Sequence, residues 1–235
     1  MIKVIKQILP KDRQYHLAVS MGIDSVAAMF WLKSKGYKVT PLHFNHNLRA
    51  QNGTMQERFW DMCRDLNIEG KSESAPSPMP HMMPRSTVGL RSESDCRNAR
   101  LEFFKKHAPG GYIITAHHLN DWVESYLLKC LRGQPNHRPF ELESAFPEFN
   151  ILHPFLLSKK SDLRQYLERN GWMKYVVQDE TNSVVKGSRR NWVRNAIIPQ
   201  MTQQRLSLEK YAKRRIGKML EVVSEGSKTV NATNS

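Results

Sequence analysis

The six residues Ser20-Met21-Gly22-Ile23-Asp24-Ser25 place two hydroxyls, a glycine and a carboxylate between two apolar runs. His16-Leu17-Ala18-Val19 precedes them, and Val26-Ala27-Ala28-Met29-Phe30-Trp31-Leu32, of helical composition, follows. This pattern reads as a strand, a tight turn and a helix. Such a junction points unpaired backbone N–H groups and the positive end of a helix dipole at one place, an anion site suited to phosphate. Ser20 and Ser25 add hydroxyl donors, and Asp24 can hold a hydrated Mg²⁺. The Gly-Lys-Ser/Thr ending of a Walker loop is missing. Serine and aspartate before a helix also serve as plain caps.

Further along, His117-His118-Leu119-Asn120-Asp121-Trp122-Val123-Glu124-Ser125 opens a helix. Asp121 and Glu124 are three apart and share a face, with Val123, Leu127, Cys130 and Leu131 as the expected buried stripe. Two such carboxylates could bind a cation or form a solvated first turn favoured by the helix dipole. Glu93, Arg97 and Arg100 share a face of the preceding helix, where ordinary surface pairing competes with an arginine clamp on phosphate. His43 and His46, before Arg49, read as packing or capping histidines beside a catalytic alternative. Arg189-Arg190-Asn191-Trp192-Val193-Arg194 combines guanidinium groups with a tryptophan, a combination that contacts phosphates and stacks on an unpaired base. Lys210, Lys213, Arg214, Arg215 and Lys218 extend the basic surface or form a solvated helix face.

The elements that must position these residues follow from periodicity. Tyr15–Val19, Tyr37–Asn45 and Gly111–Ala116 are short and rich in β-branched or aromatic residues, so strands are expected. Helices are expected over Asp24–Lys35, Gly53–Asn67 and Ser92–Lys106, with Gly36 as a stop. Alternating strands and helices predict an α/β fold, a doubly wound, mostly parallel sheet whose ligand crevice lies beyond the carboxyl ends of the strands. The Ser20 turn, the His43 segment and the Thr115 segment fall there. A proline-rich loop spans Ser74–Pro84 and an irregular region follows Gly133 to Asn150. Ser158 is the expected N-cap of a helix bearing Leu163, Tyr166 and Leu167 and stopped by Gly171. A helical extension is expected over Gln203–Val223. The expected division is a catalytic domain over 1–200, a basic helix over 201–225 and a polar flexible tail over 226–235.

The net charge of +14 suggests a polyanionic partner. No apolar stretch reaches the length of a membrane span and no signal peptide opens the chain, so a cytoplasmic protein is expected. Cys63, Cys96 and Cys130 are odd in number and widely separated, and they read as reduced thiols.

Taken in order, these pieces resemble the tRNA(Ile)-lysidine synthetases, N-type ATP pyrophosphatases with a Ser-Gly-Gly-x-Asp-Ser loop. The matching residues are Ser20–Ser25; His43, His46 and Arg49; Glu93, Arg97 and Arg100; His117, His118, Asp121, Glu124 and Ser125; and Pro154–Leu157. Asp179, Thr181 and Asn182, then Arg190, Asn191, Arg194 and Pro199, complete the pattern. The resemblance implies a PP-loop ligase that adenylates the wobble cytidine of a CAU-anticodon tRNA and joins L-lysine to it, using ATP and Mg²⁺. It implies ATP contacts at Ala18, Ser20, Met21, Gly22, Asp24, Ser25, His43, Thr115 and His117, with the metal on Asp24. Asp121 and Glu124, with Arg97 nearby, would orient the lysine. Arg189, Arg190, Asn191, Arg194, Lys213 and Arg214 are the expected tRNA contacts. Met21 stands where the family has glycine, Asn120 replaces an acid, and Gln134-Pro135-Asn136-His137-Arg138-Pro139 replaces a glycine-rich segment. A minimal form without further tRNA-binding domains is expected, and a homodimer remains open. Alternatives are an adenylating enzyme with another substrate and a non-catalytic nucleotide or tRNA binder. Sulfur transfer is disfavoured because the chain has no Cys-x-x-Cys pair.

Overall fold

A computed structural model describes residues 1–46, 52–75, 93–177 and 188–232, without the side chains of 52, 93 and 224–232. The elements run β1 (Gln14–Ala18), α1 (Ile23–Ser34), β2 (Lys38–Asn45), α2 (Asn52–Asp65), β3 (Lys71–Ser74), α3 (Glu93–His107), β4 (Tyr112–Ile114) and α4 (Leu119–Leu131). Then come β5 (Glu143–Ala145), β6 (Asn150–Leu152), α5 (Lys160–Arg169), α6 (Arg189–Trp192), a π-helical turn (Val193–Ile197), α7 (Ile198–Gln203) and α8 (Glu209–Ala232).

Among the described residues the strands form one sheet of six in the order β3-β2-β1-β4-β6-β5. All pairings are parallel except that of the edge strand β5 with β6. Because β2 flanks β1 on one side and β4 on the other, the winding reverses between β1 and β4. That reversal opens a crevice at their carboxyl ends. The doubly wound, mostly parallel sheet expected from the sequence is therefore the fold.

Helix α1 is apolar nearly all round because it lies between the sheet and α5; Val26 through Leu32 are all buried. Phe30 stacks on Trp172 with ring centroids 4.1 Å apart, which anchors the 3₁₀ turn after Gly171. Gly171 has φ 69°, the left-handed conformation that stops α5 where expected.

Several expectations change. Strand β3, Lys-Ser-Glu-Ser, has no apolar pattern and is recruited by backbone pairing to the edge of β2. Strand β5 lies within the region read as irregular, and β6 begins at its last residue, Asn150. Ser158 is not the cap of α5: its hydroxyl donates to the Lys3 carbonyl at 2.7 Å and accepts the Lys3 N–H at 3.1 Å. Lys159 holds the cap position without a side-chain bond, and Asn120 Oδ1 accepts the Lys160 N–H at 3.1 Å instead. The expected last helix begins at Glu209 instead of Gln203, where the short α7 ends, and α8 runs into the expected tail as far as Ala232. On α4 the buried positions are Leu119, Trp122, Val123, Glu124 and Ser125, whereas Leu131 is 60% exposed, so the apolar stripe ends before the helix does. Arg49, most of the proline-rich loop, the Glu93 side chain and Asp179–Asn182 lie outside the described residues.

Candidate active site

The turn after β1 turns on Met21, whose φ is 58°, left-handed for a residue that rarely adopts it. Its side chain is fully buried in the main core and its carbonyl accepts the Val177 N–H at 2.9 Å. Burial and that backbone bond hold a conformation that a glycine would adopt without strain. Ser25 Oγ accepts the Ser20 N–H and donates to the Gly22 carbonyl, both at 3.1 Å, and lies 3.2 Å from Ser20 Oγ. The loop is thereby folded over the first turn of α1, with Ser20 exposed at its rim. Gly22 is the N-cap, so the free N–H groups of α1 open toward the crevice.

Asp24, in that first turn, faces α4. Its Oδ1 lies 3.3 Å from Nε2 of His118, an ion-pair distance at which neither buried atom has an aligned hydrogen bond. Nδ1 of the same imidazole accepts the Asp121 backbone N–H at 3.3 Å while Asp121 Oδ2 accepts the His118 N–H at 3.0 Å, a reciprocal helix cap. His118 thus stands between two carboxylates. Burial alone would lower its pKa, and Asp24 and Asp121 more than reverse this, leaving it raised. For Asp24 burial works upward, and His118, Lys160 and Arg194 hold the carboxyl below its usual range.

Glu124, one turn on, is 3% exposed. Arg194 holds it with a fork, Nε to Oε1 and Nη2 to Oε2, both 2.7 Å, and lies 3.8 Å from Asp121 Oδ1. Arg190 Nη2 donates to Ser125 Oγ at 2.8 Å. The solvated-face reading therefore fails at Glu124, which is an internal, paired carboxylate.

At the strand ends, the Val19 carbonyl accepts from His43 Nδ1 at 2.8 Å, tying β2 to the end of β1 and leaving Nε2 buried without a partner. Thr115 Oγ1 meets His117 Nδ1 at 2.9 Å, and the His117 ring packs against Phe140 and His153 at 4.6 and 5.2 Å. Burial pushes His117 down to about 4 and His153 to about 3, so this wall is neutral.

The structure thus gathers the Ser20 turn, Asp24, Asp121, Glu124 and Arg194 into one connected site, with Ala18, His43, Thr115 and His117 along the adjoining strand ends. Arg97 is exposed on α3 and is not among the main charges that lower the Asp24 carboxyl. The α3 arginine whose charge reaches His46 and His117 is Arg100. Lys213 pairs with Glu209 at 3.6 Å and Arg214 lies over the Tyr211 ring, so α8 presents its basic residues outside this cluster. Sequence reasoning missed the bridging role of His118 and the charge of Lys160. The motif around His118 signalled the first, whereas only the fold brings Lys160 to Asp24.

Among the described residues no group of three or more His, Cys, Asp or Glu could cage a metal ion. A single carboxylate such as that of Asp24 is compatible with Mg²⁺, which keeps waters and phosphate oxygens and takes one or two carboxylates.

A family model for the PP-loop domain matches residues 1–201. The tRNA(Ile)-lysidine synthase of Thermotoga maritima is 31% identical over 210 residues, 86% of this chain and 48% of that protein. The Haemophilus ducreyi enzyme of the same name is 26% identical over 207 residues, 85% of this chain and 45% of that protein. The chain spans about half the length of these curated relatives. Among solved structures, the U34-tRNA thiolase NcsA from Methanococcus maripaludis superposes with a TM-score of 0.66 at 13% identity, covering 94% of this chain and 75% of that one; it bears on the fold alone. With the turn, the crevice and the match over residues 1–201 in agreement, the chain belongs to the PP-loop domain family.

Proposed function

We propose that this chain is an ATP-dependent tRNA-modifying ligase that adenylates the wobble cytidine of a CAU-anticodon tRNA and joins L-lysine to it, releasing pyrophosphate and AMP. The observation that carries this reading is the His118 contact between Asp24 on the phosphate turn and Asp121 on the acid helix. It links the turn read as the nucleotide site to the carboxylate read as part of the cation site. The names of the relatives, matched over most of this chain, supply the substrate.

In this reading the N–H groups of α1, Ser20 and Ser25 would hold the pyrophosphate portion of ATP, and Asp24 would hold a Mg²⁺ that offsets its charge. The cytidine 2-oxygen attacks the α-phosphate and pyrophosphate leaves. The lysine ε-amine then attacks C2, and AMP departs with the former 2-oxygen. The amine must be held as a cation and yet react as a neutral group, so one carboxylate accepts its proton; Glu124, further inside than Asp121, is that acceptor. Exposed Arg189 and Trp192 would be the nearest RNA contacts, with Lys213 and Arg214 extending them, whereas Arg190 and Arg194 are turned inward onto Ser125 and Glu124.

The most buried cysteine, Cys63, gives sulfur chemistry no support. Burial pushes the Cys63 thiol up to about 12, so it is no nucleophile near neutral pH.

The test is incubation with ATP, L-lysine and a CAU-anticodon tRNA transcript, with pyrophosphate release and the mass of the tRNA as readouts. A lysine-dependent mass increase is expected. Pyrophosphate release that never leads to a lysine adduct would leave an adenylating enzyme with a different second substrate.

A further inference from the structure

The segment bearing Arg194 has two commitments. Inward, Arg190 bonds Ser125 and Arg194 grips both oxygens of Glu124. Outward, Arg189 is exposed and Trp192 is 41% exposed. Guanidinium groups flanking an accessible indole suit RNA phosphates and an unstacked base. Arg194 therefore stands between a carboxylate within the crevice and the phosphates expected outside it, and its planar fork cannot serve both bidentately.

Glu124 is too enclosed to be left without a counter-charge. An ammonium can pair fully with it only when the guanidinium has moved off. The backbone is suited to such an exchange. Residues Val193–Ile197 form a π-helical turn, a local widening of the kind that recurs at functional positions in helices.

We propose that Arg194 is an exchangeable counter-ion: in the free protein it closes the amine site on Glu124, and an RNA phosphate competes for its guanidinium, so that an amine replaces it on Glu124 more readily once RNA is bound. This rests on the RNA-modifying reading above and adds to it an order of binding. The coupling is reciprocal: an amine seated on Glu124 releases Arg194 and tightens RNA binding by the same factor. An adenylated base would then form only beside an amine site already open.

The closing experiment reads Glu124 directly, without turnover. The full chain is treated with a water-soluble carbodiimide and glycine ethyl ester, which couple to accessible carboxylates. An RNA stem-loop with a CAU anticodon is added or omitted, and the peptides are quantified by mass spectrometry. Glu69, whose side chain is 82% exposed, is the internal reference. Labelling of Glu124 is expected to rise on the order of tenfold with RNA, within the usual range of coupling between sites. Arg194→Gln is expected to reach the higher level without RNA, and the wild-type comparison stands even if that variant does not fold. RNA that binds in a gel-shift assay while Glu124 stays unlabelled overturns the counter-ion proposal and leaves the ligase reading intact. A stem-loop that does not bind at all overturns both.

Discussion

The Val177 N–H donates to the Met21 carbonyl at 2.9 Å, so the chain just after the 3₁₀ turn Trp172–Tyr175 is pinned to the left-handed residue of the phosphate turn. Met21 is at once strained in backbone and wholly buried in side chain, and the two properties make opposite demands on a substitution.

Met21→Ala should destabilise the fold by about 2–5 kcal/mol through the cavity it leaves. Met21→Gly removes one more carbon, yet it should cost about 1 kcal/mol less than the alanine variant, because glycine relieves the positive φ. Restoring the family's glycine should therefore still lower stability, since lost burial outweighs relieved strain. Thermal melts of the three proteins check the order wild type, glycine, alanine. Alanine melting above glycine would show that the strain is not felt.

Asp24→Asn should leave a folded protein that releases no pyrophosphate from ATP with any tRNA, because it removes the anionic metal ligand at the turn. Near-normal release would place the nucleotide elsewhere. The same variant takes a negative charge from beside His118 and should lower that imidazole's pKa, a shift readable by NMR titration.

Removing one partner of the Glu124–Arg194 pair should cost about 3–5 kcal/mol by stranding the other charge, and replacing both with apolar residues should cost much less. A denaturation cycle over Glu124→Leu, Arg194→Leu and the double variant measures the coupling. Glu124→Gln keeps the shape and removes the proton acceptor. It should nearly abolish lysine incorporation and spare cytidine adenylation, so an adenylated tRNA should accumulate in mass spectra.

Much of this was readable in advance because the phosphate turn is local: a strand, a few small polar residues and an apolar helix are contiguous in the chain. Glu124 was not readable. Two acids three apart in a first turn fit a solvated face as well as a buried one, and its partner Arg194 lies 70 residues away. Ser158 misled for the same reason: a serine before a helix is a cap by local rules, but here the Lys3 backbone takes its hydroxyl and Asn120, on α4, accepts the Lys160 N–H. Arg97 and Arg100 share one helix face in the sequence, and only the fold selects Arg100 as the one whose charge reaches the site histidines.

Acid should destabilise this protein well above the carboxylate range. Burial first of all holds His46 and His117 near about 4 and His153 near about 3, so each is neutral in the fold and takes up a proton on unfolding below about 6.5. Their contribution is complete above pH 6.5 and is lost as pH falls from there toward 4 and 3. His118 runs the other way: its raised pKa contributes stability below 6.5 that is lost as pH rises through the folded value. The depressed histidines outnumber it. Stability should therefore fall between pH 6.5 and 4.5, and His153→Phe should flatten that slope by up to about 1.4 kcal/mol per pH unit, one proton's worth. Equal slopes for the two proteins in urea titrations would count against this assignment.

If Trp192 stacks on an RNA base, Trp192→Ala should weaken stem-loop binding by about 1–3 kcal/mol with little change in salt dependence. Arg189→Ala should instead reduce the slope of log affinity against log salt by roughly 0.7–0.9. The same response from both variants would mean that the tryptophan only supports the arginines.

The two edges of the sheet govern how copies of this chain could associate. On one side β3 is four residues long with the sequence Lys-Ser-Glu-Ser, and Glu73 within it is engaged by Lys106 and His107. On the other, β5 is three residues long and runs against the direction of its neighbours. Short, charged or reversed margins are poor templates for another strand. Among the described residues, neither margin favours extending the sheet from one molecule into the next.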